Sequence, residues 1–312
     1  MRILLCGSGS FGIPSMKAIL SSAHAIAGIV TQPARRAGRG GKSRVTPVAQ
    51  CAADLALSAT EFENVNSPEC IEFIRQLSPD VIFVVDFGQF ISASVRELAP
   101  LGAFNLHGSL LPALRGAAPV NWAIIRGSEV TGVTTFSLVD RMDAGPVYAS
   151  KRTEISPDET ADQLRARLGE LGAALVLETL EDLESGGGLP LEQDESMATK
   201  APKLAKSDGW LDFQTDAVTI RNRIHGTWPW PGGQAVYVGS KRSKQQLVTI
   251  ARAFAEDGQG KPGLVSDDLL VGTGEGMLRI LQVKPAGRKL MDWKDFVNGY
   301  RVSSGDRFVR PS

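Results

Sequence analysis

The sequence predicts an α/β protein: a Rossmann-like, doubly wound, mostly parallel sheet, followed by a small C-terminal β-barrel of the OB-like type. Two observations carry this. Short apolar, β-rich runs alternate with amphipathic helical patterns through the first two-thirds of the 312 residues; that order builds a parallel sheet with helices on its faces. After a polar stretch the pattern changes to short strand-like runs separated by glycine turns, which suits a small barrel.

Taken in order, residues 2–6, 26–31, 81–85, 103–106 and 132–137 read as strands. Residues 14–20, 47–56, 68–77 and 120–125 read as helices between them. Ser67-Pro68 supplies an N-cap followed by proline at the first helical position. Ser156-Pro157-Asp158-Glu159 has the form of a capping box and is expected to open a long helix. That helix should run to about Ser185, where Gly186-Gly187-Gly188 stops it. Residues 189–206 are polar and irregular and read as a linker, which leaves a first domain at 1–188 and a second at 207–312. In the second, residues 235–238, 247–251, 263–265, 269–271 and 278–283 read as strands, with turns at Gly232-Gly233 and Gly274-Glu275-Gly276.

Thirty-four basic side chains balance 34 acidic ones, so the global charge points to no polyanionic partner. The balance is uneven along the chain: residues 1–206 carry 19 basic and 23 acidic side chains, residues 207–312 carry 15 and 11. A difference of this size is common between domains and decides nothing alone. Cys6, Cys51 and Cys70 include no CxxC pair, so neither a disulfide framework nor a metal site is expected, and a reducing compartment fits. The opening MRILLCGSGSFG reads as a buried strand ending in glycines rather than as a signal peptide, and no 18-residue apolar span follows. A cytoplasmic monomer without membrane attachment is the expectation.

Gly7-Ser8-Gly9-Ser10-Phe11-Gly12 satisfies GxGxxG between a strand and a helix, the context of a dinucleotide fingerprint. No acidic residue ends the second strand, which disfavours NAD. Arg35 and Arg36 lie where they can meet a 2′-phosphate, so an NADP-dependent oxidoreductase is a rival reading. Otherwise the glycines only permit a tight turn and close helix–strand packing.

A different chemistry is concentrated in NLHGSLLPALRG, residues 105–116. Asn105 and His107 lie at the carboxyl end of a strand, where open α/β sheets place ligands, and their spacing of two puts them on one face. Asp143, in the DRMDAG segment after the next strand, can be brought against His107. Such a trio suits acyl transfer to an amine. Asn105 and His107 can donate hydrogen bonds to a carbonyl oxygen as negative charge builds on it. Asp143 can orient His107, favour its imidazolium form and accept the proton the amine loses. No serine or cysteine nucleophile is needed. A satisfied histidine beside an N-capping aspartate is the plain alternative, and residue types alone leave both open.

NLHGSLLPALRG resembles the NxHxSLLPxxRG signature of folate-dependent formyltransferases, and TGVTTFSLVDRMDAGPV resembles their downstream DxG segment. The resemblance implies Asn105, His107 and Asp143 as the catalytic trio and 10-formyltetrahydrofolate as formyl donor, with no metal. It implies a folate site bordered by Ser109, Leu110, Leu111, Pro112 and Asp140, with Phe87, Gly88, Phe90 and Ile91 in the loop lining the pterin. Asp86 and Phe87 depart from the family's more usual AYG there.

Enzymes on this scaffold use glycinamide ribotide, amino-sugar nucleotides or aminoacyl-tRNA as acceptors. The segment TQPARRAGRGGKSR, residues 31–44, holds Arg35, Arg36, Arg39, Lys42 and Arg44, with no acid. A flexible basic loop of this kind can meet phosphates, although taken alone it reads as a solvated surface loop. It resembles the TQPxRxAGRGxK loop of methionyl-tRNA formyltransferases, departing from it at Ala34 and Arg36. The resemblance implies that these five cations bind initiator methionyl-tRNA, with Arg39 at the family's key loop position. KLAK, TWPWPGG and LQVKPAGRKLM, starting at 203, 227 and 281, resemble further segments of that family. Trp228 and Trp230 are expected to pack at a domain junction rather than to stack on bases. A sugar-nucleotide formyltransferase is the second reading.

Overall fold

The computed structural model describes residues 1–37, 42–240 and 245–311, without the side chains of Arg36, Ala37 and Lys42. Arg39 lies outside the described residues. Compactness divides the chain into two units. Unit 1 comprises Met1–Pro119, Thr131–Thr153 and Arg165–Pro202; unit 2 comprises Val120–Val130, Glu154–Leu164 and Lys203–Ser312.

Unit 1 is built on a seven-stranded sheet. Its strands are β1 (Arg2–Gly7), β2 (Ala25–Thr31), β5 (Ala59–Glu61), β6 (Val81–Val85), β7 (Ala103–His107), β8 (Val130–Ser137) and β9 (Val147–Glu154). A separate hairpin, β3 (Arg35–Ala37) with β4 (Lys42–Arg44), falls within the basic segment. The sheet order is β5-β2-β1-β6-β7-β8-β9. Neighbours run parallel from β5 to β7, and β8 returns antiparallel to β7. β6 is buried along its whole length and β1 nearly so, which is why both read as continuous apolar runs rather than as alternation. Helices α1 (Ile13–Leu20), α2 (Pro47–Asp54), α3 (Pro68–Leu77) and α4 (Ala93–Arg96) connect the parallel strands. Thr46 and Ser67 cap α2 and α3 by accepting from the N–H groups of Ala49 and Cys70, each followed by proline in the first turn. Leu4, Val30, Ile74, Ile82, Val84 and Phe87 form the core of one sheet face.

Helix α5 (Pro119–Ile125) comes next, and the long helix α6 spans Ala161–Glu184. Its start differs from the expectation drawn from Ser156. That serine opens a turn, accepting from Glu159 N–H at 2.9 Å. The functioning cap is Thr160, whose N–H reaches Gln163 Oε1 at 3.1 Å and whose carbonyl takes the first helical bond, from Leu164. Two capping patterns lie four residues apart, and the second places Ala161, Leu164 and Leu168 in the interior. The short or polar strands β3, β4, β5 and β9 were also not marked by apolar runs.

Unit 2 holds α7 (Ala217–Thr227), β10 (Gly233–Val238), β11 (Gln245–Glu256), β12 (Val271–Gly272), β13 (Met277–Pro285), β14 (Met291–Asp292), α8 (Trp293–Tyr300) and β15 (Arg307–Val309). The six strands form one antiparallel sheet, ordered β12-β13-β11-β10-β15, with β14 on β13. The stretch 263–265, expected as a strand, instead forms single bridges that nearly close this sheet. Leu264 bridges Arg307 of β15 and Val265 bridges Val271 of β12, so the two edges meet through it as in a small barrel. Leu211, Ile224, Tyr237, Ile250, Ile280 and Phe308 belong to its core.

Candidate active site

The parallel strands β2, β1, β6 and β7 end on one side of the sheet, and their carboxyl ends carry the basic segment, the glycine turn, the 86–92 loop and Asn105-Leu106-His107. In β7, Asn105 pairs with Phe136 and His107 with Thr134 across β8. Leu106 lies on the opposite face, against Gly172 of α6. Asn105 is half-buried, and among the described residues its amide makes no hydrogen bond, so both its donors remain available.

His107 is 5% exposed and meets Phe136 edge to face, with centroids 6.4 Å apart. Its Nε2 lies 2.9 Å from the Leu114 carbonyl. A carbonyl only accepts, so Nε2 carries a proton and Nδ1 is the nitrogen left for other partners. Nδ1 stands 3.8 Å from Asp143 Oδ2, inside ion-pair reach but too long for a hydrogen bond. The same carboxylate oxygen accepts from Gly116 N–H at 2.7 Å. Asp143 has φ +53°, in the left-handed region. The next turn residue, Gly145, cannot be larger, because a Cβ there would lie 1.7 Å from the Ser137 carbonyl oxygen.

The segment between His107 and Gly116 is held from several sides. Thr134 Oγ donates to the Ser109 carbonyl and accepts from Leu111 N–H, and Ser109 Oγ donates to the Ala113 carbonyl. Residues 193–201, read from sequence as linker, supply the rest. Thr199 Oγ accepts from Leu114 N–H, and Arg115 exchanges backbone bonds with Thr199 and Ala201. Arg115 donates to Gln193 and Glu195, and Gln193 donates to the carbonyls of Asp143 and Gly145. Hydrogen bonds from Arg115 and then Arg141 pull the Glu195 carboxyl from the usual 4.5 down to about 2. Sequence reading gave no role to Thr134, Gln193 or Thr199, because a lone polar residue in an irregular stretch has no period or spacing to mark it.

The 86–92 loop leaves the end of β6 beside β7. Phe87 and Ile91 are buried, Phe90 is 49% exposed, and Gly88 takes φ +75°. Gln32 Nε2 donates to the Phe87 carbonyl at 2.6 Å, while Gln89 and Asn66 tie the loop to residues 62–66. Asp140 is largely exposed and pairs with Arg96 at 2.6 Å, which in turn donates to the Ile91 carbonyl. Leu110, Leu111 and Pro112 are half-buried at the rim. In the basic hairpin, Arg35 and Arg44 are exposed and sit directly opposite one another.

The model for "Formyl transferase" matches residues 1–180, and that for "Formyl transferase, C-terminal domain" matches residues 203–301. A methionyl-tRNA formyltransferase of Solibacter usitatus is 41% identical, covering 98% of each chain. The chain belongs to the methionyl-tRNA formyltransferase family. A second such relative, from Koribacter versatilis, is 40% identical over the whole of both chains. Among solved structures, HypX from Aquifex aeolicus in complex with tetrahydrofolic acid matches with TM-score 0.62 and 19% identity, over 96% of this chain and 47% of that one. This chain thus spans about half the length of HypX. An N-formyltransferase from Helicobacter canadensis, in complex with folinic acid and dTDP-3-aminofucose, matches with TM-score 0.64 and 13% identity, over 90% and 98%. At these identities the likeness is one of fold.

Membership of the methionyl-tRNA formyltransferase family agrees with the state of the glycine turn. The N–H groups of Ser8 and Gly9 both donate to the Asp86 carbonyl, at 3.1 and 3.0 Å, tying the turn to the end of β6. A Cβ on Gly9 would run into the Asp86 carboxylate. Gly9 therefore serves close packing, and the full-length similarity to methionyl-tRNA formyltransferases stands against the oxidoreductase reading. No group of three or more His, Cys, Asp or Glu side chains among the described residues is placed to hold a metal, and no described helix is long and apolar enough to cross a membrane.

Proposed function

We propose that this chain transfers the formyl group of 10-formyltetrahydrofolate to the amino group of methionine esterified to initiator tRNA. The observation that carries the reading is full-length similarity to methionyl-tRNA formyltransferases, at 41% identity; Asn105 and His107 lie at the end of β7, and Asp143 Oδ2 stands 3.8 Å from His107 Nδ1. The folate supplies the formyl carbon when bound. Residues 86–92 fit such a ligand: Phe90 is exposed, and the backbone N–H groups of Gly88 to Ile91 have no partner among the described residues. Ser109, Leu110, Leu111, Pro112, Phe87 and Asp140 complete the proposed folate border.

In this reading the free amide of Asn105 faces the formyl oxygen and stabilises charge developing there, with Nδ1 of His107 as the ring nitrogen left to face the reacting groups. Leu114 fixes the other ring nitrogen, so the ring cannot turn away. Asp143, anchored by Gly116, accepts the proton the attacking amine loses, directly or through one water. Arg35, Arg36, Arg39, Lys42 and Arg44 bind the tRNA phosphates. Like charges directly opposite across a hairpin repel, so Arg35 facing Arg44 favours a polyanion between or beside them. The catalytic domain at 1–188, the segment 189–206 and the tRNA-binding domain at 207–312 belong to the same proposal, as do a monomeric state and a cytoplasmic location.

The test is to incubate the protein with 10-formyltetrahydrofolate and methionyl-tRNA and to look for formyl-methionine after ester hydrolysis. Formyl-methionine is expected. Turnover with an amino-sugar nucleotide and none with tRNA would replace the acceptor.

A further inference from the structure

Asp143 sits in the left-handed backbone region, φ +53°, which only glycine occupies freely, so its turn has to be held. Its carboxylate is fixed by Gly116 N–H, yet nothing on its own turn fixes its carbonyl. That carbonyl accepts from Gln193 Nε2 at 2.9 Å, and the same nitrogen donates to Gly145 O at 2.7 Å. One amide group thus clamps both sides of the Asp143–Gly145 turn.

The orientation of this amide is forced. Its oxygen lies 3.0 and 2.7 Å from Arg115 Nε and Nη2, which can only donate, and its nitrogen faces two carbonyls, which can only accept. Arg115 is itself fixed by Glu195, at 2.9 and 3.1 Å, and Glu195 also takes Arg141 at 2.7 Å. Arg115 stands between Leu114, whose carbonyl holds His107, and Gly116, whose N–H holds Asp143. The contacts close a ring from His107 through Leu114, Arg115, Gln193 and Asp143 back to His107. Every polar atom of the Gln193 side chain is used in it.

We infer that Gln193 is a positioning residue for formyl transfer, setting the place of the Asp143 carboxylate relative to His107. The inference rests on the proposed role of Asp143. The side-chain amide of Gln193 is engaged with Arg115, Asp143 and Gly145, so it acts through the turn that carries the carboxylate. A displacement of about 1 Å in a reacting group can cost about a hundredfold in rate, so its loss should fall on kcat.

The decisive substitution is Gln193→Glu. It keeps an acceptor for Arg115 but replaces both donors with a carboxylate facing two carbonyl oxygens. With the full-length protein, kcat for methionyl-tRNA formylation should fall by about a hundredfold, with the KM for either substrate and the thermal midpoint near wild type. Unchanged kcat would overturn the inference, as would a loss wholly accounted for by a lower midpoint or a raised KM. Gln193→Leu, close in volume and without charge, is read in the same way if Gln193→Glu does not fold. Asp143→Asn separates the two levels of the argument. Full activity there removes the parent reading, whereas an inactive Asp143→Asn beside a fully active Gln193→Glu removes only the role of Gln193.

Discussion

Acid should weaken unit 2 through one ring, that of His225 on α7. β11 carries register shifts between Ile250 and Ala253, and the Ala253 N–H there donates to His225 Nε2 at 3.3 Å. An accepting nitrogen has to be unprotonated. Burial, reinforced by the guanidinium of Arg221, brings the ring down from 6.5 to about 4, against the opposing influence of the Pro157 carbonyl and, more weakly, Asp158. Because the folded value lies below the unfolded one, the ring costs nothing above pH 6.5. It destabilises the fold progressively as pH falls from there toward 4, since only the unfolded chain takes up the proton. Linkage gives about 1.4 kcal/mol at about pH 5.5 and about 3 kcal/mol below about pH 4. All five tryptophans, at 122, 210, 228, 230 and 293, belong to unit 2, so urea unfolding followed by tryptophan fluorescence reports on this unit. His225→Gln keeps an acceptor for Ala253 but has nothing to protonate. Comparing the two proteins cancels the carboxylates that titrate over the same range. The wild type should lose about 2 kcal/mol more than His225→Gln between about pH 7.5 and about pH 5. Parallel pH dependences would refute the assignment of His225 as a buried neutral acceptor.

Replacing His107 by Asn, or Asp143 by Asn, should lower kcat for formyl transfer by on the order of a thousandfold while tRNA affinity is kept; steady-state kinetics and filter binding check both halves. Removing Arg35 and Arg44 together should flatten the salt dependence of tRNA affinity by about 2 in log–log slope and leave folate KM unchanged. Arg39→Ala should likewise weaken tRNA use far more than folate use, and equal losses would make the loop a mere support for the site. Gly145→Ala drives a methyl group into the Ser137 carbonyl at 1.7 Å; it should destabilise the protein by about 3 kcal/mol or more, measured by denaturant unfolding, and lower formyl transfer with it.

The central strands and the helices announced by Ser67-Pro68 and Pro47 were legible because burial on both faces and proline at a helix start leave local marks. The strand 81–85 and the helix 68–77 coincide with β6 and α3. The start of α6 falls after Thr160 rather than after Ser156: both residues offer a cap in the sequence, and Thr160 is the one whose N–H is met by Gln163 and whose carbonyl takes the first helical bond. The segment 263–265 looked like a strand but closes a barrel by single bridges, a long-range outcome that no window of sequence encodes. At the site, Asn105, His107 and Asp143 carry a motif and a strand spacing. The hold of Leu114 on Nε2, the left-handed turn at Asp143 and the reach of Gln193 across 50 residues depend on tertiary placement and leave no local pattern.

Unit 2 is assembled from three stretches of chain, and this limits how the protein can be divided or recombined. Asn121 donates to the Gly226 carbonyl at 2.8 Å, and Gly226 has no room for a side chain beside Ile125. Arg252 reaches both the Asp158 carbonyl and Gln163 at 3.0 Å. Shortening the chain at residue 202 would remove Gly226 from beside the buried Ile125 and leave Asn121, the Asp158 carbonyl and Gln163 without these partners. A chimera between two relatives would have to exchange residues 120–130 and 154–164 along with everything after 202. The C-terminal part is therefore not a cassette that a single crossover can add or remove, and its partners in the middle of the chain must change in step with it.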